Sequence, residues 1–134
     1  MAEYINVEKP FLDKLRQLGW QVIDQGLGVP QEPAKSLRDN FKQVLLPKVF
    51  KESVKAINKT ADGREWLIDK QLDEILFEVQ NFSGKSLHEA NKEIHRLLQK
   101  GTSVSHDELT GEQDPTVRLI DFKNYDNNSF IAIN

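Results

Sequence analysis

The chain has 134 residues, of which 38% are hydrophobic and 29% charged; these are the proportions of a folded domain and exclude wholesale disorder. Its formal net charge of −3 lacks the basic surplus typical of a small DNA-binding module. Cysteine is absent, which excludes disulfides, Cys-ligated zinc and thiol nucleophiles and fits a cytoplasmic location. We find no secretory signal and no apolar run of the ~20 residues that a membrane-spanning helix needs.

The first part of the chain predicts a short helix and a strand. Apolar residues from Val7 to Leu18 recur at spacings of three and four, and Gly19 is a typical helix end. Trp20–Asp24 fits a short strand because aromatic and β-branched residues favour that state. The glycines and prolines of Gln25–Lys35 indicate a loop.

Three further helical segments follow. Ser36 is a suitable cap for a helix that Pro47 interrupts and that continues to Asn58. A long helix is predicted from 64 to 80. Another runs from about 87 to 100, beginning at the capping-box sequence Ser86-Leu87-His88-Glu89.

The last third predicts β-structure. Residues 102–115 are polar and read as a loop, 117–122 and 130–133 as strands, and 123–129 as an Asn- and Asp-rich turn. We expect the two strands to pair as a hairpin. The predicted fold class is therefore α+β, mostly α-helical over 7–100, with a small C-terminal antiparallel β-hairpin in 101–134. A lone hairpin is marginal and the chain stops after an apolar run, so we expect a longer protein.

Several chemical motifs fail on spacing. Ser83-Gly84-Lys85-Ser86 lacks the first glycine of a phosphate loop and follows a helix, which favours a capping turn. His88 and His95 are not at zinc-protease spacing, and with His106 they read as surface histidines. Two further groups have a structural reading: a solvated helix face for the carboxylates Asp69, Asp73, Glu74 and Glu78, and core packing for Trp20 and Trp66.

A metal-dependent nuclease would need an Asp on one strand and Glu-x-Lys on the next, since the acids hold Mg²⁺ and the lysine steadies the developing charge. The sequence contains no Glu-x-Lys. Asp121 lies on a predicted strand, but its carboxylate fits better as the cap of the Asn-rich turn.

Two stretches together resemble the amino-terminal region of type I restriction enzyme R subunits. They are Val7–Trp20, an apolar helix ending in Gly and an aromatic residue, and Val117–Asn134, an "LIDF" strand followed by an Asn-rich turn and an apolar strand ending in Asn. The second match is the more specific, and Ser36–Asn58 also resembles the family's helical section.

The resemblance implies that 1–134 is the N-terminal part of a nuclease domain of the PD-(D/E)xK kind, with the start of a restriction-endonuclease-like α/β core. It implies Mg²⁺-dependent cleavage, ATP-driven translocation, and DNA and the methyltransferase and specificity subunits as partners of the intact subunit. The catalytic Asp and Glu-x-Lys are expected after Asn134, so no catalytic, cofactor-binding or metal-binding residue is expected in this piece. The family's opening-helix acid corresponds to Glu8, which either supports the metal site or is a first-turn acid favoured by the helix dipole.

Two alternatives stay open. One is a small helical protein–protein interaction domain, which the long helices and missing catalytic groups favour. The other is a stand-alone metal-dependent hydrolase that uses carboxylates such as Asp73 and Glu74, although their spacing is unspecific.

Overall fold

The computed structural model describes residues 2–134. Its helices and strands are α1 (Lys9–Gln17), β1 (Gln21–Ile23), α2 (Pro47–Ile57), α3 (Asp69–Gln80), α4 (Leu87–Lys100), β2 (Thr102–Ser103), β3 (Thr116–Val117) and β4 (Ile131–Ile133). Short turns of π- or 3₁₀-helix occupy Tyr4–Glu8, Pro33–Ser36 and Tyr125–Asn127. These helices and small sheets confirm the predicted α+β class. None of the helices described in 2–134 has both the length and the apolar character needed to span a membrane.

The chain forms two compact units. Unit 1 consists of the segment up to Leu46 together with Ser129–Asn134, and unit 2 is Pro47–Asn128. Unit 2 is therefore inserted in the sequence between the two strands of unit 1.

Unit 1 is built on a pair of parallel strands. β1 pairs with β4 in the register Gln21↔Ile131, Val22↔Ala132 and Ile23↔Ile133. The α1 helix buries Leu12, and Gly19, at a φ of 91°, takes the left-handed conformation that ends this helix. The predicted first helix, its glycine stop and the short strand after it are thus confirmed.

Unit 2 has its own apolar core. Its buried cluster consists of Val54, Trp66, Leu67, Leu72, Ile75, Val104 and Val117. These residues come from α2, α3, the β2–β3 region and the segment before α3. Because β2 and β3 pair antiparallel, Thr102 with Val117 and Ser103 with Thr116, the C-terminal third does contain a small antiparallel pair.

The expected pairing of 117–122 with 130–133 is wrong. The main chain of Arg118 bonds through both its N–H and its carbonyl to the side chain of Asn58, at 2.8 Å each. The N–H of Asp121 donates to Asn128 Oδ1 at 2.8 Å. These side chains take the backbone groups that a continuing strand would offer to a neighbour, so strand β3 ends at Val117 and β4 pairs with β1 instead.

The helix expected between Ser36 and Pro47 does not form. Leu37 has a φ of 60°, and Ser36 Oγ donates back to the carbonyl of Pro33 at 3.0 Å. Side chains of Asn40 and Gln43 then accept from nearby main-chain N–H groups, a local competition that disfavours helix. The helix begins only at Pro47, where a missing N–H costs nothing, and the predicted continuation to about Asn58 is confirmed.

Two other boundaries differ from expectation. The helix predicted from residue 64 begins at Asp69, because Thr60 Oγ1 accepts from the Arg64 N–H at 2.9 Å and closes a turn there. The predicted 102–115 loop opens with strand β2. By contrast, the capping box at Ser86 is confirmed: its hydroxyl accepts from the Glu89 N–H at 3.1 Å, and the Glu89 carboxylate accepts from the Ser86 N–H at 3.3 Å.

Candidate functional site

Polar side chains gather where the two parallel strands of unit 1 end. Asp24 and Gln25 follow β1, Asn134 follows β4, and Tyr4 and Glu8 come from the turn that precedes α1. The carboxyl ends of parallel strands are where α/β folds commonly place binding sites. We call these five residues the strand-end cluster.

Asn134 forms hydrogen bonds with three other members of the strand-end cluster. Its Oδ1 accepts from the Gln25 N–H at 2.7 Å, and its main-chain oxygen accepts from Gln25 Nε2 at 2.6 Å. Its Nδ2 donates to Glu8 Oε2 at 3.3 Å and to Asp24 Oδ1 at 3.4 Å. One side chain therefore joins segments separated by 109 to 126 positions in the sequence.

Asp24 is held by neutral donors. The Tyr4 hydroxyl lies 2.9 and 2.8 Å from its two carboxylate oxygens, and the Gly26 N–H donates to Oδ1 at 2.9 Å. The Gly26 amide, followed by the Tyr4 hydroxyl, holds the pKa of the Asp24 carboxyl below its usual range. The same hydrogen bond raises the pKa of Tyr4. Asp24 is thus ionised over the ordinary pH range.

Glu8, the residue singled out from the sequence, belongs to this cluster. It is half-buried, and its Oε2 receives the Asn134 amide. Among residues 2–134, no side chain or main-chain group donates to the other oxygen, Oε1, and no lysine or arginine forms a salt bridge with Glu8 or Asp24. The carboxylate is therefore held through Oε2, and Glu8 lines a polar hollow at the surface.

The strand-end cluster separates two surface depressions. A polar hollow of about 180 Å³ is lined by Tyr4, Glu8, Gln25, Asn134 and neighbouring loop residues. An apolar groove of about 600 Å³ lies along β4 and is lined by Phe11 and Leu15 of α1 and by Trp20. The Trp20 and Phe130 rings meet at a tilt with centroids 5.3 Å apart, but Trp20 is only half-buried, so the core interpretation is not confirmed for this residue.

Asp121 caps a turn, as expected from the sequence. Its Oδ1 accepts from the N–H groups of Lys123 and Asn124 at 3.0 and 2.9 Å, and its Oδ2 accepts from Asn127 Nδ2 at 3.1 Å. The Asn124 amide, followed by Asn127, lowers the pKa of Asp121. These bonds use the carboxylate for local structure.

The other sequence motifs have structural roles in unit 2. The segment Ser83–Ser86 is the turn before α4 that ends in the capping serine, and Trp66 is a core residue. His88 and His95 are exposed on α4, whereas His106 Nε2 lies 3.0 Å from Glu108.

The α3 carboxylates do not converge. Asp73 forms an ion pair with Lys51, and Glu78 accepts from Thr102 Oγ1 at 2.7 Å, while Asp69 and Glu74 are exposed. Within the described part of the chain, 2–134, no group of three or more His, Cys, Asp or Glu side chains is arranged to hold a metal ion. The hydrolase that uses Asp73 and Glu74 therefore gains no support from their placement.

Sequence reasoning missed four members of the strand-end cluster. Tyr4, Asp24 and Gln25 carry no motif, and Asn134 ends the stretch Val117–Asn134 that resembles the family but was given no role. The parallel pairing of β1 with β4 brings Asp24 and Asn134 together. The available signal was a polar residue directly after each of two apolar strands. It was not used because the expected hairpin put the second strand beside a different partner.

Comparison with known proteins defines the class to which this chain belongs. The family model described as "Type I restriction enzyme R protein N terminus" matches residues 2–134. The chain therefore belongs to that family, which confirms the resemblance seen in its sequence.

Two curated relatives carry the comparison further. The chain is 25% identical over 129 residues to the type I restriction enzyme HindI endonuclease subunit of Haemophilus influenzae. This alignment covers 96% of the chain and 12% of that protein. It is 23% identical over 128 residues to the putative type I restriction enzyme MjaIXP endonuclease subunit of Methanocaldococcus jannaschii, with 96% and 11% covered. The chain thus spans about an eighth or less of the length of either relative. No solved structure gives a significant match.

Proposed function

We propose that this chain forms the N-terminal part of the nuclease domain of a cytoplasmic type I restriction endonuclease subunit. The intact subunit would cleave DNA with Mg²⁺, translocate DNA with ATP, and act with methyltransferase and specificity subunits. The observation that carries the proposal is the family match over 2–134. The printed names of both relatives, which are endonuclease subunits of type I restriction enzymes, support it.

Within that subunit we assign a supporting role to Glu8. Its carboxylate lies at the carboxyl end of the parallel strand pair, is held through Oε2, and belongs to a residue that lines the polar hollow. Mg²⁺ prefers oxygen ligands and is commonly held by only one or two protein carboxylates. Glu8 therefore fits one ligand or near neighbour of such an ion, and the principal Asp and Glu-x-Lys would come from elsewhere in the subunit. When bound, Mg²⁺ polarises the phosphodiester and helps generate hydroxide.

ATP would bind outside this chain. Ser83–Ser86, the one segment that looks like part of a phosphate loop, is used as a helix cap. The alternative of an independent interaction domain loses its main argument, because a missing catalytic motif is equally expected of the N-terminal part of a nuclease domain.

The proposal is tested with the complete subunit that carries this sequence, assembled with its methyltransferase and specificity subunits. Glu8→Gln is expected to slow Mg²⁺-dependent DNA cleavage by at least tenfold, because ligands and their close supports commonly carry effects of that size. ATP hydrolysis is expected to stay at the wild-type rate. Glu52→Gln, which removes the same charge from an exposed position on α2, is the matched control.

Three outcomes would count against the proposal. Cleavage by the Glu8→Gln subunit at the wild-type rate would remove the role assigned to Glu8. Absence of Mg²⁺- and ATP-dependent cleavage in the assembled wild-type complex would remove the function as a whole. Cleavage by residues 1–134 alone would contradict the expectation that the catalytic motif lies elsewhere.

A further inference from the structure

The two carboxylates of the strand-end cluster share one neutral donor. Asn134 Nδ2 lies 3.3 Å from Glu8 Oε2 and 3.4 Å from Asp24 Oδ1. Neither acid forms a salt bridge within the described residues, 2–134. A lysine at the position of Asn134 would neutralise both acids, whereas an amide orients them and leaves their negative charge in place.

The amide itself is held by an independent pair of bonds. The main-chain N–H of Gln25 donates to Asn134 Oδ1 at 2.7 Å, and Gln25 Nε2 donates to the Asn134 main-chain oxygen at 2.6 Å. Because Oδ1 is engaged, the amide plane is fixed and Nδ2 must point away from Gln25, toward the acids. The short hydrogen bond to Oδ1 thus determines the direction in which Nδ2 donates its two longer hydrogen bonds.

A second support acts from the other side. The Tyr4 hydroxyl binds Asp24, and Tyr4 and Glu8 begin and end the same short helical turn. Asp24 therefore links the turn that carries Glu8 to the end of β1, and Asn134 links that turn to the end of β4.

We propose that Asn134 is a positioning residue that orients the Glu8 carboxylate so that Oε1 faces outward, available to a divalent cation. The identity of the cation as Mg²⁺ rests on the proposed function above. The contact between Asn134 and Glu8, and its orienting role, do not. Residues that hold a ligand by hydrogen bonds typically change metal affinity by 10- to 100-fold when they are replaced.

The first test needs no nuclease activity. In ¹H–¹⁵N NMR spectra of the protein, we expect the chemical shifts of the Asn134 side-chain NH₂ group to differ from those of exposed asparagines such as Asn91. We also expect the hydrogens of this NH₂ group to exchange slowly with solvent. Glu8→Gln should move the Asn134 NH₂ signals while the Gln25 main-chain amide, which is bonded to Oδ1, stays in place. Asn134 NH₂ signals that match Asn91 and ignore Glu8→Gln would overturn the inference.

The second test measures the Mg²⁺ concentration for half-maximal DNA cleavage by the assembled complex. Asn134→Ala and Glu8→Gln should each raise this concentration by about tenfold or more, and the double variant should be no worse than either single variant. Asn91→Ala, which removes the same kind of side chain from an exposed position on α4, is the matched control and should leave the Mg²⁺ requirement unchanged.

The outcomes separate this inference from the function on which it partly rests. If Glu8→Gln raises the Mg²⁺ requirement and Asn134→Ala does not, the positioning role fails while the function stands. If Glu8→Gln leaves the Mg²⁺ requirement unchanged, the function assigned to Glu8 fails. The NMR test then decides whether Asn134 contacts Glu8. If Asn134→Ala and Glu8→Gln have additive effects and Asn134→Ala slows ATP hydrolysis equally, Asn134 is only a structural residue and the inference is overturned.

Discussion

Replacement of Asn58 should test how unit 2 holds its C-terminal segment. Asn58 follows α2 and is only 8% exposed. Its Nδ2 donates to the carbonyls of Val54 and Arg118, and its Oδ1 accepts from the Arg118 N–H, all at 2.8 Å. The Asn58 side chain thus bonds the main chain of Arg118 as a neighbouring strand would. Asn58→Ala removes all three hydrogen bonds, and the alanine side chain cannot replace any of them.

The size of the effect follows from those three bonds. A protein hydrogen bond contributes about 0.5–1.5 kcal/mol net, and a buried group left without a partner costs about 1–3 kcal/mol. Alanine leaves the main-chain N–H and carbonyl of Arg118 unpaired in a half-buried place. We therefore expect Asn58→Ala to lower the free energy of unfolding of unit 2 by about 2–4 kcal/mol.

Urea denaturation followed by circular dichroism provides the measurement. With a slope of about 2 kcal/mol per molar urea, typical of a small protein, the midpoint should fall by about 1–2 M without a change in slope. Asn91→Ala, at an exposed position on α4, is the matched control and should change stability by less than about 0.5 kcal/mol. A loss below about 0.5 kcal/mol in Asn58→Ala would refute the reasoning, because the three bonds would then contribute nothing net.

Three further substitutions have expected results. At Gly101, φ is 76° and an added Cβ would overlap the Val117 carbonyl. Gly84 has a similar φ but open space around it, so Gly84→Ala should cost roughly 1 kcal/mol and Gly101→Ala well over that. Equal melting temperatures of the two variants would contradict this prediction. Ser86→Ala removes the cap of α4 and should cost about 1 kcal/mol in urea denaturation, so an unchanged midpoint would contradict the capping role. Hydrogen bonds lower the pKa of folded Asp121, so its stabilisation is present above its unfolded pKa and is lost as pH falls through the folded pKa. The stability of Asp121→Asn should therefore depend less on pH below about 4 than that of wild type. Identical curves of stability against pH for the two proteins would contradict this stabilising role of Asp121.

Local signals predicted the helices well where capping chemistry and apolar spacing agreed. Ser86 and Glu89 marked the start of α4, and Gly101 marked its end. The helix predicted from Ser36 had the apolar spacing but lacked helical backbone: Leu37 takes a positive φ and Asn40 bonds to its own turn. Apolar spacing alone does not report such competition from polar side chains.

The β-structure was harder to predict because its partners are distant in sequence. Two apolar strands on either side of an Asn-rich turn favour a hairpin, yet each strand pairs elsewhere: Val117 with Thr102, and Ile131 with Gln21. The buried side chain of Asn58 decides where β3 ends. A long-range contact of one polar side chain leaves no periodic pattern to read.

The strand-end cluster depends on register as much as on pairing. Because Ile23 lies beside Ile133 in parallel strands, the residues that follow, Asp24 and Asn134, emerge side by side. A slip of one residue would place Asp24 beside Ile133 and turn the following side chains to opposite faces. Parallel strands need a crossover connection of a dozen or more residues, and here that connection contains all of unit 2. The strand-end cluster therefore depends on the register of β1 and β4, since that register brings Asn134 beside Asp24, while the Tyr4 hydroxyl joins the turn that carries Glu8 to Asp24.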